Sequence, residues 1–182
     1  TFEPFTADFP RTLLFSICLA SNQQVYASFY GRGVHCYDLY GKKIAAYMSG
    51  QSPLSNDYVM DVIEHQGKVW LATDGGGVNL IHLDTGAFSY LQHISGDRNS
   101  LPFNSITGLY KDPNGNLWLG SVRGGAIHVK DTYIRTYQDV VMNHDGGLTE
   151  KSVTSLYEEP DGRLWIGTDG GGVNLFRPET GR

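Results

Sequence analysis

Four copies of one segment divide the chain, and they constrain its fold more than any other feature. Residues 105–121 align with residues 152–168, and residues 69–80 nearly repeat residues 164–175. Each copy holds one aromatic anchor, and a glycine follows seven residues after it. The anchors are Tyr26, Trp70, Trp118 and Trp165, at spacings of 44, 48 and 47 residues. A repeat of this length indicates a chain built from similar supersecondary units.

Each copy predicts short strands joined by tight turns. β-Branched and aromatic residues fill residues 105–111 and 152–158, as in strands. The pairs Asn114-Gly115 and Asp161-Gly162 follow, and such pairs accept positive φ at both central positions of a type I′ turn. Four short strands in each unit of about 46 residues are typical of a β-propeller blade. The sequence therefore predicts an all-β chain, a β-propeller built of four repeats with four-stranded antiparallel blades.

The repeats account for the whole chain, residues 1–182, as one propeller segment. The predicted blades span about residues 13–49, 59–92, 105–138 and 152–182. The last copy ends after its third strand. We therefore expect residues 1–5 to supply an outer strand that completes a blade, because unpaired sheet edges are prone to association.

Composition excludes several classes of protein. The 182 residues are 40% hydrophobic and 18% charged, which is typical of a folded domain. The net charge of −5 argues against nucleic-acid binding, and no apolar run approaches the roughly 20 residues of a membrane helix. Cys18 and Cys36 are too few for a disulfide framework. The strand alignment places them in the first and third strands of one blade, too far apart to bond.

The copies resemble the two-component regulator propeller repeat. The resemblance is carried by residues 159–168, residues 112–120 and the glycines at 170–172. The second copy departs by a shorter turn at residues 65–68, and the first has Tyr26 in place of Trp. The resemblance implies the periplasmic sensor region of a bacterial membrane histidine kinase, often a hybrid kinase–regulator of gut Bacteroidetes that detects glycans. It also implies a larger propeller, in which other blades of the parent receptor are partners of these four.

Four blades can form a closed ring in two ways, and the sequence does not decide between them. Four blades can close alone, or two copies can pair through their blade edges as a closed homodimer. The resemblance favours the second arrangement, because this repeat type more often closes rings of more than four blades.

Residues that break the pattern of a repeat are candidates for ligand binding. The turn after the anchor strand reads Thr-Asp-Gly-Gly-Gly at Asp74 and Asp169, with glycines that let backbone amides approach a ligand. The first copy has Tyr30 and Arg32 in this turn, and the third has Arg123. We predict a face on which these five residues offer an aromatic platform and polar groups to an oligosaccharide. The alternative is that the Asp and Thr side chains only bind turn amides.

Other residues give no pattern of catalysis, metal binding or cofactor binding, and we expect neither a metal nor a cofactor. The six His residues form no ligand pair. Residues 112–116 begin like a calcium loop, but Arg123 stands at the twelfth position where a Glu is needed. Glu158, Glu159 and Asp161 are predicted to be solvated. The tryptophan anchors Trp70, Trp118 and Trp165 are assigned to the core between blades rather than to sugar stacking.

The sequence thus predicts a non-catalytic sensor module that binds a glycan or passes a signal to a kinase. One alternative is a propeller enzyme, a lyase or glycan hydrolase, which requires His and acidic residues converging on the ring axis. Another is a scaffold for protein partners, although the dipeptides of WD repeats are missing from their places. Fold by itself does not decide between these functions.

Overall fold

The structure, a computed structural model, describes residue 5 and residues 8–97, 99–130, 133–137 and 147–177. The elements named in this part of the chain are fifteen β-strands, arranged as four antiparallel sheets. In each sheet, strands adjacent in sequence are adjacent in space, as in propeller blades. None of the described segments is a helix with the length and apolar character that a bilayer crossing requires. The chain divides into two compact units, Thr1–Tyr90 and Leu91–Arg182.

The first unit contains sheets I and II, each of four strands. Sheet I consists of β1 (Leu14–Leu19), β2 (Val25–Phe29), β3 (Val34–Tyr37) and β4 (Lys43–Tyr47). Sheet II consists of β5 (Val59–His65), β6 (Lys68–Thr73), β7 (Gly77–His82) and β8 (Phe88–Leu91).

The second unit contains sheets III and IV. Sheet III consists of β9 (Ile106–Lys111), β10 (Leu117–Ser121), β11 (Gly125–Lys130) and β12 (Tyr133–Tyr137). Sheet IV has three strands among the described residues, β13 (Val153–Glu158), β14 (Leu164–Thr168) and β15 (Gly172–Phe176). Residues 1–4 of the predicted outer strand lie outside the described residues, so that strand stays a prediction.

Sheets I and II pack face to face around the first aromatic anchor. Tyr26 is only 3% exposed and shares a core cluster with Val34 of sheet I and with Val59, Val62 and Leu71 of sheet II. This anchor is therefore part of the core between the two sheets. Burying such side chains stabilises the unit by roughly 1.5–3 kcal/mol each.

Sheets III and IV pack in the same way around Trp118. This side chain is 5% exposed and clusters with Val153, Leu164 and Ile166 of sheet IV. Trp165 has the same position in sheet IV, but it is half-buried. In sheets I and III the anchor is therefore part of the core that the sheet forms with the next sheet of the same unit.

A backbone hydrogen bond of the same kind joins the two sheets of each unit. The Gly33 N–H donates to the Asp57 carbonyl over 3.1 Å, and the Gly125 N–H donates to the Lys151 carbonyl over 3.0 Å. Each bond runs from the turn after the anchor strand to the segment that leads into the next sheet. These two chain segments consequently form one face within each unit.

The hairpin after β9 differs from the type I′ turn predicted for it. Gly115 has positive φ, but Asn114 does not. The Gly115 N–H donates to the Asp112 carbonyl, so the turn has Pro113 and Asn114 at its centre. Pro113 restricts its own φ to about −65° and favours a type I turn with a left-handed glycine after it. The shorter turn after β5 has positive φ at both Gln66 and Gly67, as a type I′ turn requires.

The outward face of β1 exposes apolar side chains. The pairing registers place Leu14 and Ile17 at the positions that Val59 and Val62 occupy in sheet II. Val59 and Val62 are buried, whereas Leu14 and Ile17 are 48% and 57% exposed. The pairing of two copies through blade edges stays a prediction.

Cys18 and Cys36 lie on either side of one residue in sheet I. Cys18 of β1 and Cys36 of β3 both pair with Tyr26 of β2, and both are free thiols. Their placement in the first and third strands of one blade is confirmed. Burial raises the pKa of both thiols, so they are protonated and weakly nucleophilic at neutral pH.

Candidate functional site

The five predicted site residues lie in the turns between the second and third strands of their sheets. In the first unit, Tyr30 and Arg32 follow β2, and Asp74 follows β6. In the second unit, Arg123 follows β10, and Asp169 follows β14. Each unit thus presents its own set of these residues.

An exposed aromatic cluster forms in the first unit around Tyr30. The Tyr30 ring lies 5.1 Å from the Tyr58 ring and 5.6 Å from the Phe15 ring, in edge-on geometry in both cases. The three side chains are 50%, 43% and 37% exposed. Gly31 stands against Tyr58 with φ of +62°, a backbone conformation that suits glycine. We call Phe15, Tyr30 and Tyr58 the aromatic cluster.

Asp74 is held beside this aromatic cluster by the backbone. Its N–H donates to the Tyr58 carbonyl over 2.9 Å. Inside the turn, the Thr73 hydroxyl donates to the Gly77 carbonyl and accepts the Gly76 N–H. The threonine therefore bonds within the turn, and Asp74 is exposed next to the segment that carries Tyr58.

Arg123 and Asp169 meet at one segment of the second unit. The Asp169 N–H donates to the Ser152 carbonyl over 2.8 Å. Ser152 and Arg123 both line an open cleft of about 420 Å³. The hydroxyl of Ser152 donates to the Val122 carbonyl and so joins sheet IV to the turn of sheet III. The two predicted residues consequently share a face of this unit.

Sequence reasoning missed the residues that lead into the next sheet. Tyr58 directly precedes β5, and Lys151 lies two residues before β13. Neither was predicted as a site residue. Phe15 was missed because it looks like an ordinary strand residue. The sequence signal for Tyr58 is an aromatic residue directly before the first strand of a repeat. The structure adds that its neighbour Asp57 accepts the recurring hydrogen bond from Gly33.

The three acidic residues of the last copy differ in their partners. The Glu159 carboxylate accepts the indole N–H of Trp165 over 3.0 Å and pairs with Arg163, which also pairs with Asp161. Glu158 points elsewhere: it is 9% exposed, and one of its carboxylate oxygens has no hydrogen-bond partner among the described residues. The prediction that all three carboxylates are solvated is wrong for Glu158.

Glu158 lacks donors that its counterpart in sheet II possesses. Glu64 has the equivalent position, and its carboxylate accepts the Ser21 N–H at 2.5 Å and the Ser21 hydroxyl at 2.6 Å. The residue equivalent to Ser21 in sheet III is Pro113, which has neither group to donate. Burial first, and then the charge of Asp112, raise the pKa of Glu158 above its ordinary value of 4.5.

Glu158→Gln is expected to raise the free energy of unfolding at neutral pH by about 1 kcal/mol. A raised folded-state pKa means that the stability contributed by the protonated carboxyl is complete below the unfolded pKa and is lost as the pH rises through the folded pKa. The gain should therefore shrink as the pH falls towards 4.5, the ordinary value for Glu. Urea unfolding followed by circular dichroism across this pH range measures it.

The matched control is Glu64→Gln, which removes a carboxylate that already has two donors. We expect this change to destabilise the protein at neutral pH, opposite in sign to Glu158→Gln. Destabilisation by both changes would contradict the assignment of Glu158 as an uncompensated buried charge.

Metal ligands do not converge in the described part of the chain. Within residues 8–97, 99–130, 133–137 and 147–177, no three His, Cys, Asp or Glu residues are arranged to hold a metal ion. His35 and His128 are buried and stack or pack against aromatic rings, His128 against Trp118 at 4.3 Å. These two histidines serve as core side chains.

Comparison with solved structures identifies the class of fold. The extracellular domain of the hybrid two component system BT4673 from B. thetaiotaomicron superposes with a TM-score of 0.73 at 20% identity, over 94% of this chain and 24% of that one. The corresponding domain of BT3049 from the same organism gives 0.55 at 20% identity, over 89% and 26%. The WD40 β-propeller domain of Doa1 gives 0.62 at 14% identity, over 95% and 54%. The four sheets are β-propeller blades, as predicted.

The repeat type follows from the sequence comparison. Residues 100–123 and 147–170 match the two component regulator propeller family, so the resemblance found in the sequence is confirmed for these two copies. None of the curated proteins matches the chain. The chain spans about a quarter of the length of the two B. thetaiotaomicron domains and so has the extent of one part of such a propeller.

Proposed function

We propose that this chain is part of the extracytoplasmic sensor propeller of a bacterial two-component receptor. The observation that carries the proposal is the match of residues 100–123 and 147–170 to the two component regulator propeller family. Extracellular domains of two-component systems are among the proteins of similar fold, which supports a location outside the cytoplasm. The periplasm of a cell with a membrane-bound histidine kinase is the location we propose.

The ligand that best suits the first unit is a neutral oligosaccharide. Sugar rings present apolar C–H faces, and exposed aromatic rings supply large contact area at a low cost in conformational entropy. The aromatic cluster offers such rings, and Asp74 beside Tyr58 offers an acceptor for sugar hydroxyls. Binding of a sugar at this face does not require a covalent bond to be made or broken. We accordingly propose the module as a sensor without catalytic activity.

Replacing Tyr58 by Ala is expected to weaken oligosaccharide binding by at least about tenfold. The probes are cellotriose, xylotriose, mannotriose and galactotriose, titrated into the chain by calorimetry. The control is Tyr40→Ala, because Tyr40 is 94% exposed in the turn between β3 and β4, away from the aromatic cluster. Binding of none of the four sugars, or equal weakening by both changes, would overturn the assignment of this site.

The enzyme alternative predicts turnover of the same sugars. Chromatography of each trisaccharide after prolonged incubation with the chain should show the starting sugar alone. Release of shorter or unsaturated products, abolished by a single acidic-residue substitution, would replace the sensor proposal by a glycan hydrolase or lyase.

A further inference from the structure

The open cleft of the second unit differs in charge from the aromatic cluster. Its lining consists of Phe103, Val122, Arg123, Glu150, Lys151 and Ser152, and its volume is about 420 Å³, within the range of small-molecule sites, about 300–1,000 Å³. Two cations and one carboxylate therefore face the cleft in a chain whose net charge is −5. The Glu150 carboxylate accepts the Lys151 N–H over 2.7 Å, which occupies one of its oxygens.

Arg123 replaces a glycine of the repeat. The equivalent residues of the other three turns are Gly31, Gly75 and Gly170, all with positive φ, whereas Arg123 is outside the left-handed region. The turn of sheet III has thus taken a different backbone conformation that accepts a long side chain. Among the described residues, Arg123 is exposed and has no hydrogen-bond or ion-pair partner. A guanidinium in this setting is available to pair with an anionic ligand.

Lys151 reverses the charge of its counterpart in the first unit. The link from Gly125 to Lys151 matches the link from Gly33 to Asp57, so Lys151 and Asp57 have equivalent positions. Asp57 is bound to the Ser49 N–H and hydroxyl and serves the structure of its unit. Lys151 lines the cleft together with Arg123. The second unit therefore has a second cation where the first has a carboxylate.

Phe103 adds an apolar surface to this cationic cleft. Its ring is 43% exposed and lines the cleft with Arg123. The Ser152 hydroxyl is directed to the Val122 carbonyl and keeps the two cleft walls together. A flat apolar ring beside two cations suits a molecule that carries both an apolar face and an acid group.

We propose that this cleft binds an anionic sugar unit, carrying a carboxylate or a sulfate, with Arg123 and Lys151 pairing the acid group and Phe103 contacting the sugar ring. The inference rests on the proposed function as an oligosaccharide sensor and adds an acidic class of ligand at a second place. A planar carboxylate matches the guanidinium through two parallel hydrogen bonds, and a sulfate offers three oxygens to both cations. Binding is electrostatic in part and weakens in high salt.

The test compares acidic and neutral sugars of the same size. Trigalacturonic acid, a heparin-derived tetrasaccharide and neutral galactotriose are titrated calorimetrically into the chain at low and at high salt.

The first protein variant is Arg123→Gly, which restores the residue of the other three turns and is expected to fold. Lys151→Gln is the second variant. Lys111→Gln is the matched control, because it removes one exposed positive charge from β9 at the strand end opposite to the cleft.

We expect at least one acidic sugar to bind, at least about tenfold more weakly to Arg123→Gly and to Lys151→Gln, and unchanged to Lys111→Gln. Tighter binding of trigalacturonic acid identifies the carboxylate as the acid group, and tighter binding of the heparin tetrasaccharide identifies the sulfate. Equal affinity for acidic and neutral sugars, or equal weakening by Lys111→Gln, overturns the inference. If neutral sugars bind through Tyr58 and acidic ones do not bind here, the proposed function stands and this inference fails.

Discussion

Trp118→Ala should destabilise the second unit by about 3–5 kcal/mol, the usual range for removing a buried aromatic side chain. The Trp118 ring stacks on His128 at 4.3 Å and lies 5.6 Å from Phe176 at an angle of 64°. Its indole N–H donates to the Asp112 carboxylate over 3.4 Å. Truncation therefore leaves a cavity between sheets III and IV and removes a donor from a buried carboxylate. Urea unfolding followed by circular dichroism measures the loss without relying on tryptophan fluorescence.

The matched control for this change is Trp165→Ala. Trp165 has the same repeat position, and its indole N–H also donates to a carboxylate, that of Glu159. Because Trp165 is half-buried, its truncation removes less contact and should cost clearly less than that of Trp118. Equal losses in the two variants would contradict the assignment of Trp118 to the core between the two sheets.

Gly33→Ala is expected to destabilise the first unit by roughly 2–5 kcal/mol. Gly33 has φ of +63°, and a Cβ atom at this position would overlap the Tyr47 carbonyl oxygen and lie 3.0 Å from Leu54. The substitution therefore strains the backbone and also pushes β4 away from the turn. It disturbs the hydrogen bond from Gly33 to Asp57, which links sheets I and II. Thermal or urea unfolding of the variant tests this expectation.

Gly50→Ala separates the cost of backbone strain at positive φ from the cost of steric overlap. Gly50 has φ of +75°, but a Cβ atom there meets nothing within 4 Å. This variant should show the backbone strain alone, about 1–2 kcal/mol. A cost for Gly33→Ala no larger than that for Gly50→Ala would show that the close approach to Tyr47 is not important for stability.

Local pattern was enough to predict the blades. Strand segments, hairpins and anchors recur at one phase in the sequence, and each hairpin forms from residues that are neighbours along the chain. The position of Trp118 in the core could be predicted for the same reason, because one aromatic residue per repeat must face the next sheet. The type I′ prediction is wrong at Asn114 because Pro113 restricts the backbone one residue earlier, a constraint that the sequence itself contains.

The composition of the two candidate sites depends on contacts between sheets. Tyr30, in the turn after β2, meets Tyr58, which leads into sheet II, and Arg123 and Lys151 line one cleft at the junction of sheets III and IV. Residues so distant in sequence become neighbours only when blade packs on blade.

The repeat, its strands and its family resemblance can be recognised from the order of the amino acids, because these properties arise from residues close together in the chain. The three-dimensional packing is needed to show which side chains share a cleft, and that Glu158 is buried with an unpartnered carboxylate oxygen while its counterpart Glu64 binds Ser21. Identical repeat positions differ in environment because the partner of each residue belongs to the neighbouring blade. Burial and charge pairing are set by packing between blades, and the pattern within one repeat contains no information on that packing.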